Sequence, residues 1–229
     1  MNSATAPNVA SQPSLNEPSL VDFAQACLGP VLGEAPEGWF FLAGGAFKSL
    51  LHGGPPRDLD VWPATQADRT VLRERLEDRG ARLQQDNPPF QTTYTLAGQV
   101  IELPYDTSPA SLEERLARFD LALSAVGVEH RHGIWRAVVH PLALESIRRR
   151  EVLLLKPLSN WKYALATLER MRRYAVELGY AIPDSETRAV WSVFDAQHRE
   201  EQEAMLERYL RVAGGDPRVL EEARCRLRP

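Results

Sequence analysis

Short apolar runs alternate with amphipathic segments along the first two thirds of the chain. Residues 39–43 are apolar throughout and residues 58–62 alternate polar and apolar side chains, so both segments predict strands. Between them, Gly44-Gly45 predicts a turn into a helix over residues 46–52. Helical spacing of apolar residues predicts further helices over 20–32, 66–79 and 112–118. Residues 91–96 and 99–103, separated by Ala97-Gly98, predict a hairpin.

The hydrophobic period changes near residue 155. Before it, residues 121–128 and 134–139 predict one more pair of strands, and Pro141 opens a helix. After it, only helical periodicity remains, over residues 161–178, 185–213 and 217–227. The pattern therefore predicts an α+β protein: a mixed sheet flanked by helices over residues 19–155, then a smaller all-helical part over 156–229. Residues 1–18 are rich in Ser, Asn, Pro and Ala and predict a flexible tail.

Composition limits the classes of protein to which this chain can belong. With 229 residues, 44% hydrophobic and 25% charged, the chain is large enough to bury one or two cores. No window reaches the roughly 18 consecutive apolar residues of a membrane span, and the N-terminus lacks a signal-peptide pattern, so we expect a cytoplasmic protein without membrane contact. The net charge of −4 argues against bulk coating of nucleic acid, although a local basic face stays open. Two distant cysteines and five histidines without ligand spacing predict no structural zinc.

Two aspartates and a glycine turn form the most informative pattern. Asp58 and Asp60 are residues i and i+2 of a predicted strand, so they project from one face. Like charges this close repel each other unless a cation lies between them, and oxygen-only ligands suit Mg²⁺. Upstream, Gly44-Gly45 exposes backbone N–H groups at a helix start, where phosphates bind. Each feature alone is common, but the combination predicts a phosphoryl-transfer site.

Three segments in this order resemble the DNA polymerase beta-like nucleotidyltransferases, most closely the head domain of tRNA CCA-adding enzymes and bacterial poly(A) polymerases. The first runs from Gly44-Gly45 to Asp58-Leu59-Asp60. Residues 118–125 read Arg-Phe-Asp-Leu-Ala-Leu-Ser-Ala and are similar to the family's Arg-Arg-Asp-Phe-Thr-Ile-Asn-Ala. Residues 170–180 are similar to the family's Arg-x-x-Arg-Phe-Ala-x-x-Leu-Gly-Phe. The resemblance implies transfer of a nucleoside monophosphate from a nucleoside triphosphate to an acceptor hydroxyl at a two-metal Mg²⁺ site, with pyrophosphate released.

The resemblance also implies roles for individual residues. Asp58 and Asp60 would bind the metal ions. A third carboxylate is expected on a neighbouring strand, where Glu102 is the first candidate as metal ligand and catalytic group and Asp106 is the alternative. The expected nucleotide contacts come from Gly44, Gly45, Lys48, Ser49, Arg118, Asp120, Lys162, Arg170 and Arg173.

Other positions depart from the family's pattern. Lys48-Ser49 stands where the family has Arg-Asp, and Ala122 and Ser124 stand where it has Thr and Asn. The family's base-selecting Glu-Asp-x-x-Arg motif would fall at residues 163–167, which read Tyr-Ala-Leu-Ala-Thr, and the residues beyond 180 are too few for the body and tail that hold tRNA. We therefore expect the chemistry to be kept and leave the acceptor open among an RNA end, a protein hydroxyl and a small molecule. A non-catalytic nucleotide-binding or regulatory module with the same fold is the alternative.

Overall fold

A single mixed sheet organises the first part of the chain. The computed structural model describes residues 15–213 and 215–227. Its strands are β1 (Phe40–Ala43), β2 (Asp58–Pro63), β3 (Arg82–Asn87), β4 (Gln91–Leu96), β5 (Gln99–Pro104), β6 (Val126–Arg131) and β7 (Ile134–Val139). They lie in the order β3-β4-β5-β2-β1-β6-β7. Of the neighbouring pairs, β2 and β5 run parallel and the others run antiparallel.

Helices cover the sheet and form the C-terminal part. They are α1 (Glu17–Leu32), α2 (Ser49–His52), α3 (Gln66–Asp78), α4 (Leu112–Leu116), α5 (Pro141–Arg149), α6 (Ala164–Leu178), α7 (Asp184–Asp195), α8 (Arg199–Ala213) and α9 (Pro217–Arg226). Short 3-10 turns occur at Gly45–Lys48, Ala122–Ser124 and Trp161–Tyr163. Among the described residues, no helix is long and apolar enough to span a lipid bilayer.

Two main hydrophobic cores hold these layers together. One lies between the sheet and α1 and α3, with buried Leu28, Phe40 and Leu72 among its members. The other lies inside the helical part, around Met171 and Phe194, and it also takes in apolar residues from segments 121–123 and 152–154. Because these segments precede residue 155, the helices pack directly on chain that belongs to the first predicted domain. The domain boundary at 155 stays a prediction, and the shared core packs α6 on segments 121–123 and 152–154.

The predicted α+β class is confirmed, and several element bounds are corrected. Strand β3 was not predicted, because all six of its side chains are exposed and leave no apolar period. The strand predicted from residue 121 begins only at Val126, since the 3-10 turn Ala122–Ser124 comes first. The helix predicted over 185–213 is two helices, because the chain turns after Asp195 and both Phe194 and Met205 then reach one core.

The N-terminal prediction is also corrected where the structure describes it. Residues 1–14 of the predicted tail lie outside the described residues. Helix α1 begins at Glu17, inside the predicted tail, because the side-chain oxygen of Asn16 accepts a hydrogen bond of 3.0 Å from the backbone N–H of Ser19. This cap satisfies one of the free donors of the first turn and favours an earlier helix start.

Candidate active site

Three carboxylates come together on the β2–β5 pair. Asp58 and Asp60 lie two residues apart on β2, and Glu102 of β5 is the register partner of Asp60. Glu102 is within hydrogen-bonding reach of Asp60, and burial together with the charges of Glu102 and Asp58 raises the pKa of Asp60 well above its usual value. A carboxyl group placed this way holds its proton or needs a cation beside it. The structure thus places the three acids that the sequence predicted on neighbouring positions of one strand pair.

The basic residue next to this cluster was missed at the sequence level. Arg57 Nε and Nη2 donate hydrogen bonds of 2.8 and 2.6 Å to Asp58 Oδ2. Arg57 lies outside the predicted strand over residues 58–62, so the strand period gave no signal for its pairing with Asp58. Arg57 lies in the loop before β2, where its side chain folds back onto Asp58.

The three acids are of the chemical type that binds Mg²⁺, but their side chains do not converge on one point. Across residues 15–213 and 215–227, no three Asp, Glu, His or Cys side chains converge closely enough to form a metal site. The donors are all carboxylate oxygens, which Mg²⁺ prefers, and the raised pKa of Asp60 indicates uncompensated negative charge beside Glu102. The residues therefore fit Mg²⁺ in chemical kind and lie on neighbouring strand positions, and Arg57 holds one oxygen of Asp58.

The glycine turn approaches Asp60 closely. Gly44 has a φ of +102°, and an ideal Cβ at this position would lie 3.0 Å from Asp60 Oδ2. Only glycine combines this backbone conformation with so close an approach. A Cβ on Gly45 would lie 3.0 Å from the hydroxyl of Tyr174, which shares a hydrogen bond of 3.0 Å with Ser124. Helix α6 therefore supports the turn from behind.

A cationic cavity of about 390 Å³ opens on the Asp58 side of the turn. Lys48, Arg57 and Arg173 line it, together with Tyr174 and Glu177. Burial and the charges of Arg173 and Arg57 lower the pKa of Lys48 to about 8, although Glu177 accepts a hydrogen bond from its ammonium. Burial and the charge of Arg57 also lower the pKa of Arg173. Three cations that repel one another suit a polyanion such as a phosphate chain.

A second cavity, of about 440 Å³, opens on the Asp60 side, between the sheet and α6. Its walls include the aromatic residues Trp62, Phe119 and Tyr163 and the amide of Asn160. Asp60 belongs to its lining, whereas Asp58 belongs to that of the cationic cavity. Because the two aspartates are neighbours on one strand face, the carboxylates lie where the two cavities approach each other.

Three of the predicted nucleotide contacts line this second cavity. Asp120 is buried, and its Oδ2 accepts hydrogen bonds from Thr167 Oγ1 at 2.6 Å and from Arg170. It therefore ties α6 to the segment before Ala122–Ser124. Arg118 is exposed and donates to the Ser108 carbonyl at 3.2 Å.

Two other predicted contacts are not available in the way expected. Ser49 is buried, and its hydroxyl donates a hydrogen bond of 2.6 Å to the carbonyl of Ala46, so the group is already used inside the turn. Lys162 is exposed, its ammonium lies 5.4 Å from the Trp161 ring centroid, and it lines neither cavity. The 3-10 turn Trp161–Tyr163 brings Tyr163 to the cavity in its place.

Comparisons with known proteins establish the fold. No protein-family model and no curated protein matches the chain by sequence. A CCA-adding enzyme complexed with CTP superposes with a TM-score of 0.58 at 15% identity, covering 91% of this chain and 50% of that one. The Thermotoga maritima CCA-adding enzyme complexed with tRNA gives 0.54 at 15%, covering 88% and 49%. A tRNA nucleotidyltransferase complexed with a primer tRNA and an incoming ATP analog gives 0.54 at 18%, covering 80% and 63%.

These comparisons confirm the predicted fold resemblance. The chain spans about half to two thirds of the length of the solved structures that it matches. At 15 to 18% identity the likeness establishes a common fold. The chemistry has to be argued from the site itself.

Proposed function

We propose that this chain is a Mg²⁺-dependent nucleotidyltransferase that moves a nucleoside monophosphate from a nucleoside triphosphate to an acceptor hydroxyl. One observation carries the proposal: Asp58, Asp60 and Glu102 lie on neighbouring positions of β2 and β5, where Asp60 approaches the glycine turn and the two aspartates line a cationic and an aromatic cavity. Structures with the same fold include complexes with CTP and with an ATP analog, which supports a nucleotide as donor. Complexes with tRNA favour an RNA end as acceptor, with a protein hydroxyl or a small molecule as alternatives.

Each part of the site has a task in this reaction. The cations Lys48, Arg57 and Arg173 hold the phosphate chain, and the missing Cβ of Gly44 leaves room for it beside Asp60. The carboxylates would hold Mg²⁺, which supplies charge neutralisation at the transferred phosphate. Glu102 then accepts the proton of the acceptor hydroxyl. The acceptor oxygen bonds to the α-phosphorus, the bond from that phosphorus to the bridging oxygen breaks, and pyrophosphate leaves.

A second candidate function rests on the pairing of Arg57 with Asp58. An arginine that occupies Asp58 suits a nucleotide-binding or regulatory module that needs no metal. Thermal unfolding with a nucleoside triphosphate, with and without Mg²⁺, separates the two functions, because a ligand at 100 times its Kd stabilises the folded state by about 2.7 kcal/mol. Stabilisation that requires Mg²⁺ supports the enzyme, and equal stabilisation without Mg²⁺ supports the module. Labelled nucleotides incubated with total cell RNA or protein then identify the acceptor.

Triphosphate affinity is expected to fall about tenfold between pH 7 and pH 9. The pKa of Lys48 is lowered to about 8, so its ammonium is charged below that pH and becomes neutral above it, while a bound phosphate chain favours the charged form. Several titratable or charged groups face Lys48: Glu177, Arg173 and Tyr174 of α6, Arg57 in the loop before β2, Asp58 at the start of β2, and His52 at the end of α2. The Kd for ATP across this pH range checks the expectation.

The matched control for this pH dependence is Lys48→Arg. A guanidinium stays charged throughout the range, so the variant should bind ATP with a flat pH profile. The same fall in the arginine variant would show that another group is responsible.

Base selection is expected to be loose. At the positions of the family's base-selecting motif, the hydroxyl of Thr167 is already bonded to Asp120, and no Asp and Arg pair is present. Initial rates with the four nucleoside triphosphates should therefore agree within about tenfold, because stronger discrimination requires buried, paired hydrogen bonds to the base. Asn160→Ala tests the amide on the cavity wall and should leave the rate ratios unchanged. A several-hundredfold preference for one base would contradict the expectation.

A further inference from the structure

A buried arginine on the Asp60 side of the site lacks an ionic partner. Arg115 of α4 is 4% exposed and lines the second cavity. One of its N–H groups donates to the Pro109 carbonyl at 2.9 Å, but its Nε is buried without a hydrogen-bond partner. Among the described residues, no carboxylate lies within ion-pairing distance of the guanidinium. A buried charge is costly unless an opposite charge or hydrogen bonds compensate it.

The surroundings of Arg115 supply further recognition groups. Its guanidinium carbon lies 4.6 Å from the ring centroid of Trp62, whose Nε1 is also buried without a partner. Phe119 packs edge-on against Trp62, with 6.3 Å between ring centroids, and its Cε1 is 3.5 Å from the Cβ that Gly44 lacks. Two free N–H donors and two rings therefore lie beside the carboxylate cluster.

The cavity is lined by three guanidinium groups and three carboxyl groups, and one of each, Arg170 and Asp120, form an ion pair with each other. Arg118 adds an exposed cation to the same lining. Of the two unpaired acids, Asp60 belongs to the carboxylate cluster, and the charge of Asp106 acts favourably on Arg115. Asp106 Oδ1 accepts a hydrogen bond of 2.9 Å from the backbone N–H of Ser108 and forms no ion pair with Arg115. The wall suits an oxyanion with an adjacent flat or apolar group.

We propose that Arg115 and Arg118 form a second phosphate site, which holds a phosphate of the acceptor while the adjoining ring or sugar packs on Trp62 and Phe119. The assignment of this phosphate to the acceptor rests on the proposed function, whereas the phosphate site itself does not. Lys48, Arg57 and Arg173 already suit the phosphate chain of the donor on the Asp58 side, so a phosphate on the Asp60 side belongs to the other substrate. It is either the phosphodiester next to a nucleic-acid end or the monoester of a small phosphorylated molecule.

The test is calorimetric titration of the full chain with two phosphate probes, the dinucleotide CpA and ribose 5-phosphate. Saturating Mg²⁺ and α,β-methylene ATP fill the donor site first. Arg115→Met keeps an apolar stem and removes the charge, so it should weaken binding of the probe by about 10- to 100-fold, as expected for a charge-assisted hydrogen bond. Affinity for the ATP analogue should not change.

Two further variants keep the test decisive. Arg69→Met is the matched control, since Arg69 is also buried and lies 3.7 Å from the Tyr105 ring centroid but does not line the cavity. It should bind the probes like the wild type. Arg118→Gln changes an exposed residue and should weaken binding of the same probe. This variant still tests the site if Arg115→Met does not fold.

The outcomes separate the source of the phosphate from failure of the site. Binding of CpA alone assigns the phosphate to a nucleic-acid end, and binding of ribose 5-phosphate assigns it to a small acceptor. Binding of neither probe, unchanged binding by Arg115→Met, or tighter binding of an acidic peptide such as triglutamate overturns the phosphate site. Failure of the wild type to bind the ATP analogue overturns the proposed function instead, and the probes, titrated without the analogue, still decide the phosphate site.

Discussion

Asp60→Asn is expected to lower the rate of nucleotidyl transfer by about 10³-fold or more, because a metal ion contributes several kcal/mol and each 1.36 kcal/mol is a factor of ten in rate. The neutral amide cannot supply the anionic oxygen that Mg²⁺ needs. The same change removes a carboxyl group that is costly to ionise, since burial and then the charges of Glu102 and Asp58 raise its pKa. Without metal, the variant should therefore unfold at a melting temperature equal to or above that of the wild type.

Initial rates and melting temperatures measured together check this expectation. Asp78→Asn, an exposed position at the end of α3, serves as the control and should change neither value. Asp58→Asn should lose activity to a similar degree, while leaving Arg57 without its partner. Full activity in Asp60→Asn would refute the metal assignment, and a much lower melting temperature would indicate a structural role for Asp60.

Glu102→Gln is expected to depress transfer by about 10²- to 10⁴-fold with little change in triphosphate binding, the range observed for loss of a general acid or base. Glutamine keeps the size and polarity of the side chain and removes its charge. Glu102 is the register partner of Asp60. In the proposed reaction its carboxylate would therefore act beside the acceptor hydroxyl, whereas Lys48, Arg57 and Arg173 on the Asp58 side would hold the phosphate chain of the donor. Single-turnover rates and the Kd for ATP together test the split between chemistry and binding.

Asp106→Asn is the comparison for this prediction. Asp106 lies beyond the end of β5, and its carboxylate caps a turn through the backbone N–H of Ser108. Its loss should cost a little stability and leave the rate near normal. A normal rate in Glu102→Gln combined with a lost rate in Asp106→Asn would place the third acid in the loop.

Local patterns predicted the elements that carry the chemistry. The apolar run of β1, the alternation in β2 and the hairpin β4–β5 depend on neighbours within a few residues, and the structure confirms them. That Asp58 and Asp60 share one face follows from the two-residue period of a strand alone. Strand β3 had no such signal, because its exposed side chains are free of any apolar period.

Long-range pairing and packing decided the rest. Glu102 meets Asp60 only because β2 and β5, some forty residues apart in the chain, pair in parallel with that register. Tyr174 reaches Gly45 only because α6 packs in the same hydrophobic core as segments 121–123 and 152–154.

The amino-acid sequence alone therefore determined the class of fold, the glycine turn and the aspartate pair, since these depend on local conformation and side-chain period. The tertiary structure alone decided how Arg57 pairs with Asp58, where Arg115 is buried, and that Lys162 lies outside both cavities. The physical reason is that hydrogen bonds, ion pairs and burial depend on the atoms within a few ångströms of a side chain. No pattern along the chain records which distant segments come that close.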